Sequence, residues 1–335
     1  MATSTSGIPI AQLPVVRQLL GSENPAVVYR VRRELLGEDP DAPDICALQE
    51  RVRRSALAQG LLGHRRPDGT IPIHAYGKWQ GPHWTLYSLA EIGYPPGDTD
   101  LLPLFEQAFR WLLAEKFLRF PSTVFYPGQE DRVRRCASQE ATAIYYALKL
   151  GFAGASTEQL VQRLLQFRWP DGGWNCDKRK GASMSSLLET VYPVRALALY
   201  GQVTGDAAST AAARRAAEVL LERRLYKRRR DGAIIYPDFT RIVFPYYAHY
   251  SFFFALLVLA EAGLVTDERC RDALDLLESK RLPGGGFPLE NRIYTVSQET
   301  ATRGSNVDWG PAGKTRPNDF VTADALFILH KAGRV

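Results

Sequence analysis

Two histidines and two cysteines occupy comparable places along the chain: His83, Cys136, Cys176 and His249. Each stands just before, or at the start of, a long apolar stretch. Two thiols and two imidazoles suit Zn²⁺, and three such ligands plus a water form a catalytic zinc site. No local Cys-x-x-Cys pair fixes the ligand geometry, and Cys is often only a small buried hydrophobe. Zn²⁺ is therefore expected only if the fold brings these four side chains to one point. A thiol at a helix N-terminus would also gain thiolate character.

Glu140, Glu189 and Asp324 are the acids placed to act beside them, with Asp308 and Asp319 at the same level. A general acid that protonates an alkene must be desolvated, with its pKa raised. The plainer role for such residues is to cap helices or compensate their dipoles. Lys180, Lys314 and Arg316 precede apolar helices and could hold a diphosphate at the same mouth. Trp84, Tyr145, Tyr250 and Phe253 are the aromatics that could wall a cavity and stabilise carbocations through their ring faces. The same rings would also serve as ordinary core.

Bringing these residues together requires a repeating scaffold, and the sequence contains one. Five apolar stretches each close on a glycine: 84–93, 141–151, 194–201, 252–263 and 323–333. A terminal Gly supplies the left-handed cap that ends a helix. Amphipathic helices are expected between them, over 45–60, 103–118, 158–167, 211–226 and 270–281, with an earlier one at 25–36. Turns of related chemistry follow the outer helices, as in Pro170-Asp-Gly-Gly-Trp174 and Pro283-Gly-Gly-Gly-Phe287. No strand alternation competes with this pattern. Inner helices this poor in charge must be hidden, which favours a closed α/α toroid over an open solenoid. The N-termini of the inner helices would then converge at one mouth.

Composition sets the outer bounds. The chain has 335 residues, 45% hydrophobic and 23% charged, as expected of a globular protein rather than a disordered one. The net charge of +6 is too small to imply nucleic acid as a partner, though it suits an anionic ligand or membrane surface. Four cysteines exclude a disulfide scaffold and fit a reducing cytoplasm. Residues 1–10 carry neither a basic nor an apolar leader segment. The stretch 242–260 lacks formal charge apart from His249, so it is read as a helix buried in the core or, alternatively, as one dipping into a membrane surface.

The phrase Gln166-Phe-Arg-Trp-Pro-Asp-Gly-Gly-Trp-Asn-Cys176 resembles the repeat turn of squalene cyclases and protein prenyltransferase β subunits. The alternating helix pairs over roughly 45–333 are similar too, and bacterial members of that superfamily share the pattern. The resemblance implies an all-α, (α/α)6 toroid with an apolar central cavity; it does not by itself imply a reaction. The Asp-x-Asp-Asp acid of class II cyclases is missing, since Asp39-Pro-Asp41 and Asp98-Thr-Asp100 fall short of it. The Asp-Asp-x-x-Asp of class I synthases, the Asp-x-Cys of zinc prenyltransferases and the Gly-Cys-Gly-Glu-Gln of thioester toroids are missing as well.

The expectations are then as follows. Residues 1–20 form a loosely ordered tail and 21–335 a single toroid domain. The protein handles an isoprenoid or other apolar small molecule in an aromatic cavity, with cytoplasmic location and membrane-surface contact open. The long glycine-containing loop 290–317 would serve as a lid. A non-catalytic toroid that binds an apolar ligand or a protein partner is the alternative. A carbohydrate-cleaving toroid would want paired acids in an open polar cleft, which acid-poor, aromatic inner helices disfavour. If the fourth inner helix is buried as placed, Phe253→Asp strands a charge in the core. Its thermal melt should fall by well over ten degrees or the variant should fail to fold.

Overall fold

The computed structural model describes residues 9–115, 125–126, 128–179 and 181–335. Within them, helices alternate between two concentric layers. The inner layer comprises α2 (Pro25–Arg30, continued by a π-helical turn Val31–Leu35), α5 (Pro82–Glu91), α7 (Ala137–Lys149), α9 (Leu187–Thr204), α11 (Phe252–Glu261) and α13 (Asp319–Lys331). The outer layer comprises α1 (Pro14–Leu20), α3 (Pro43–Arg54) with α4 (Ala56–Leu61), α6 (Leu102–Leu112), α8 (Ala155–Gln166), α10 (Ala207–Leu221) and α12 (Arg271–Glu278). Each inner helix packs on its outer neighbour, and α5, α7, α9, α11 and α13 pack in succession. α13 also packs on α2, and Arg30 of α2 bonds Glu91 of α5, so the ring closes. The fold is an all-α toroid of six helix pairs. Two short ladders decorate its loops: Phe125–Tyr126 with Gln129–Val133, antiparallel, and Thr295–Val296 with Gly304–Ser305, parallel.

Local chemistry explains the boundaries. Proline opens α1, α2, α3 and α5, where its missing N–H costs nothing. Asn24, Ser186, Ser251 and Asn318 each cap an inner helix through a side-chain oxygen. Gly93, Gly151, Gly263 and Gly333 adopt the left-handed conformation expected of them. Gly201 does not; α9 runs on to Thr204 and is capped by Gly205 at φ +76°. A methyl group at Gly201 would overlap the Thr210 hydroxyl, so this glycine serves the close approach of α9 and α10 rather than a helix end.

The turn phrase also acts as expected. The Trp169 N–H bonds the Gly173 carbonyl and the Gly172 N–H bonds the Trp169 carbonyl. Trp174 is fully buried, with Nε1 donating to the Leu164 carbonyl at 3.1 Å. Leu282 and Gly286 repeat the same backbone pairing ahead of buried Phe287.

Two expectations change. Residues 14–20, assigned to a loose tail, form α1, and Val16 and Leu19 are buried against the ring. The stretch 242–260 is helical only from Phe252; every residue from Phe252 to Ala260 is buried on all sides, so none of that helix forms a membrane-facing surface. Among the described residues, no helix is long and apolar enough to cross a membrane.

A buried charge network ties the inner helices at the axis. Arg30 of α2 bonds Asp324 of α13 at 3.0 Å and Glu91 of α5 at 3.1 Å. Glu91 also pairs with Arg195 of α9, which holds both carboxylate oxygens of Glu261 of α11 at 2.7 Å. The Arg195 guanidinium lies 4.0 Å from the ring centre of Tyr145 on α7. All six inner helices thus meet one network. Burial opposes the charge on Glu91, but Arg195 and Arg30 outweigh it and its pKa stays lowered. At Asp324 burial wins over Arg30 and the Tyr246 hydroxyl, and the carboxyl is raised to about 7. A carboxyl whose pKa is higher folded than unfolded binds protons more tightly in the native state. Its contribution to stability is therefore lost as pH rises from about 4 through 7. Asp324→Ala should cost about 3 kcal/mol by leaving Arg30 short of a partner. Asp324→Asn keeps the shape and should cost less, and its deficit relative to the parent should shrink between pH 5 and pH 8 in denaturant titrations.

Candidate functional site

The N-termini of the inner helices share one mouth, and the predicted residues divide there into two groups. Cys136 occupies the N-cap position of α7 and Cys176 follows the buried turn at Trp174; the Arg135 N–H bond to the Asn175 carbonyl brings the two cysteines together. Glu189, in the first turn of α9, lies beneath them. Its Oε2 accepts the Ser138 N–H at 2.9 Å, at the positive end of α7. Glu189 is 4% exposed. Burial, reinforced by the adjacent Cys176, pushes its carboxyl well above the usual carboxylate range. The hydrogen bond with Cys176 lowers the Cys136 thiol; the same bond and burial raise Cys176. Tyr76, partly exposed, faces Glu189 and both thiols, and burial raises its phenol. The result is a buried acid, raised above the usual carboxylate range, close to Tyr76 and the two cysteines.

Across the mouth, a cleft of about 470 Å³ is lined by Lys78, Trp79, Tyr247, His249, Tyr294 and Arg303 among others. Trp79 stacks on Tyr247 at 4.9 Å and forms its floor. The segment 291–309 covers this side. The Trp79 N–H bonds the Gly304 carbonyl and the Arg303 N–H bonds the Lys78 carbonyl. Gln80, only 2% exposed, donates to the carbonyls of Ser297 and Glu299 and to Asn306 Oδ1, and accepts from the Ala301 N–H. The loop expected to be a lid is thus a pinned cover. The sequence pattern does not single out Gln80; its only signal is its place between Trp79 and α5.

The four expected zinc ligands do not converge. His83 is fully buried, edge-on to Trp84 and Trp111, with Tyr146 Oη 3.5 Å from Nδ1. Burial alone lowers it to about 3, so it is a neutral core residue. His249 lines the cleft on the other side of the mouth from the thiols, and burial lowers its pKa. Among the described residues, no three His, Cys, Asp or Glu side chains are placed to hold a metal ion.

Other candidates are used structurally. Glu140 is fully buried between Arg135 and Arg163, which lies 2.9 Å away. Asp324 belongs to the axial network rather than to the mouth. Trp84 sits in the centre against Trp79, Tyr87 and Tyr247. The Tyr250 hydroxyl bonds the Leu225 carbonyl and its ring packs on Phe239. Phe253 is fully buried beside Tyr246 and Phe252. Tyr145 instead lines a cleft of about 530 Å³ at the opposite end of the ring, with Lys149, Arg195, Glu261 and Lys331. The axial aromatics therefore pack on one another instead of standing around an open chamber.

Lys314 and Arg316 are exposed on the approach to α13 and do not line the cleft, and Lys180 lies outside the described residues. Positive charge at the cleft comes from Lys78, Arg292 and Arg303, with Asp238 as the acid among them. None of the three cations lies where the sequence pattern looked, immediately ahead of the later inner helices.

No family model and no curated protein sequence matches the chain. Solved structures similar to it include a glycosyl hydrolase family 88 protein from Bacteroides vulgatus, at 11% identity and TM-score 0.47, covering 96% of this chain and 94% of that one. An unsaturated glucuronyl hydrolase specific for heparin matches at 13% identity and TM-score 0.43, covering 99% and 89%. The type II terpene cyclase MstE from Scytonema matches at 16% identity and TM-score 0.41, covering 92% and 87%.

Proposed function

We propose that this toroid is an acid-catalysing enzyme of the terpenoid-cyclase kind, acting on an isoprenoid or other apolar alkene at the N-terminal mouth. The observation that carries the reading is Glu189. It is a buried carboxyl that forms no ion pair among the described residues, raised above the usual carboxylate range by desolvation and oriented by the Ser138 N–H. Such a group can deliver a proton to an alkene carbon, converting the double bond to a C–H bond and a cation. The partly exposed ring of Tyr76, close to Glu189, would supply the negative quadrupole that a carbocation needs. Lys78 and Arg303 would take an anionic head group on the substrate.

A carbohydrate-cleaving reading draws less support. Glycosidases need a second functional carboxyl across the bond, and Glu140 is neutralised by its two arginines. The alternative of a non-catalytic binding toroid is favoured by one observation, the mutual packing of Trp79, Trp84, Tyr87 and Tyr247 at the axis.

Incubation with a panel of linear polyprenyl alcohols, diphosphates and hydrocarbons should give products of unchanged mass and new retention, because cyclisation and isomerisation conserve atoms. Glu189→Gln keeps the Ser138 hydrogen bond and should fold, yet lower turnover by about 10²–10⁴-fold. The acid must be protonated to act, so the parent's kcat/KM should persist at pH values that would ionise an ordinary carboxyl. It should fall as pH rises through the elevated pKa. Binding of the apolar panel without turnover, equal in parent and Glu189→Gln, would favour the binding toroid.

A further inference from the structure

The thiol pair at the mouth has a chemistry of its own. The segment leading to Cys136 runs against the turn that carries Cys176, and three bonds fix the two together. The Arg135 N–H donates to the Asn175 carbonyl at 2.8 Å, Arg134 Nε donates to the Cys176 carbonyl at 2.6 Å, and Trp169 Nε1 donates to the Val133 carbonyl at 2.9 Å. Each cysteine directly follows a residue of the bonded Arg135–Asn175 pair, and both side chains remain partly exposed. Cys136 is also the N-cap of the 13-residue α7, a setting that favours thiolate. The other two cysteines are placed differently: Cys46 is exposed beside the Pro40 carbonyl and Cys270 is buried at the start of an outer helix.

We propose that Cys136 and Cys176 form an oxidative modification site, in which a hydroperoxide converts the pair to a disulfide. The Cys136 thiolate attacks the terminal oxygen of the hydroperoxide. The O–O bond breaks, the peroxide leaves as an alcohol or water after taking a proton, and Cys136 becomes a sulfenic acid. The Cys176 sulfur then attacks Cys136, its proton leaves with the sulfenic hydroxyl as water, and the S–S bond forms. In sum, two thiols lose two electrons and two protons, and the hydroperoxide is reduced to an alcohol and water. The bond would fasten the entry of α7 to the turn before α9 directly above Glu189. The inference is independent of whether Glu189 is catalytic.

The test uses the reduced full chain treated with stoichiometric hydrogen peroxide. The intact mass should fall by two hydrogens, and non-reducing peptide maps should show a Cys136–Cys176 link. The link should form roughly tenfold faster than oxidation of exposed Cys46. In Cys176→Ser the sulfenic acid on Cys136 should persist and be captured by dimedone, whereas Cys136→Ser should give neither link nor adduct at Cys176. Melting curves of the reduced variants check that both remain folded. Glu189→Gln should cross-link like the parent, which separates a failure here from a failure of the catalytic reading. Oxidation directed first to Cys46, disulfides between chains, or over-oxidation of Cys136 without a link would overturn the proposal.

Discussion

Burying Arg30, Glu91, Arg195 and Asp324 at the centre of a helical ring is the constraint on which the rest of the molecule depends. Each ion removed from water costs several kcal/mol after relaxation, and only well-placed opposite charges offset that cost. The offsetting partners come from different helices: Glu91 lies between arginines of α2 and α9, and Arg195 reaches Glu261 on α11 and the face of Tyr145 on α7. Apolar contacts alone would tolerate small slides of one inner helix past another. A slide here would strand a charge, so the network fixes the register of the ring as well as its closure. The helix N-termini, and with them the mouth, are held level as a consequence.

That levelling is what unites Cys136, Cys176 and Glu189, which are distant in sequence. The raised carboxyl of Glu189 follows from the same geometry. Its helix places it near the two cysteines and out of water, while the α7 N-terminus supplies a single N–H and no ion pair reaches it among the described residues. Glu140, one turn into α7 and equally buried, has the opposite fate because Arg135 and Arg163 reach it. Two glutamates of similar burial thus differ through their neighbours, one carboxyl raised by burial and the other held in ion pairs.

The scaffold was largely legible because its rules are local. Apolar runs ending in glycine gave the inner helices, and the Asp-Gly-Gly-Trp turn gave the repeat. Where those local rules competed, as at Gly201, close helix packing won over capping. The site was legible only in part. The toroid rule expects His83, Cys136, Cys176 and His249 at one point; the structure sets the segments of Cys136 and Cys176 together with Glu189 nearby, while His83 is drawn into the core by Trp84, Trp111 and Tyr146. The axial network was missed because Arg30 and Arg195 look in sequence like ordinary helix-surface charges. Only the ring shows that both arginines meet carboxylates of other helices at its centre. Tyr250 and Phe253, expected to wall a cavity or else to pack as ordinary core, are buried, and residue type does not say whether a ring fills space or borders it.

Gln80 bears a chemical obligation that no charge or ring in the molecule shares. Its amide nitrogen is surrounded by three oxygens and its amide oxygen faces an N–H, so the two ends of one small group cannot be exchanged. Loss of ammonia from this side chain, the slow hydrolysis that ages amides, would set a carboxylate oxygen against three acceptors in a site with almost no water. The cover over the mouth would then be repelled by the residue that fastened it, and a single atom's exchange from nitrogen to oxygen would act as a clock on the closed ring.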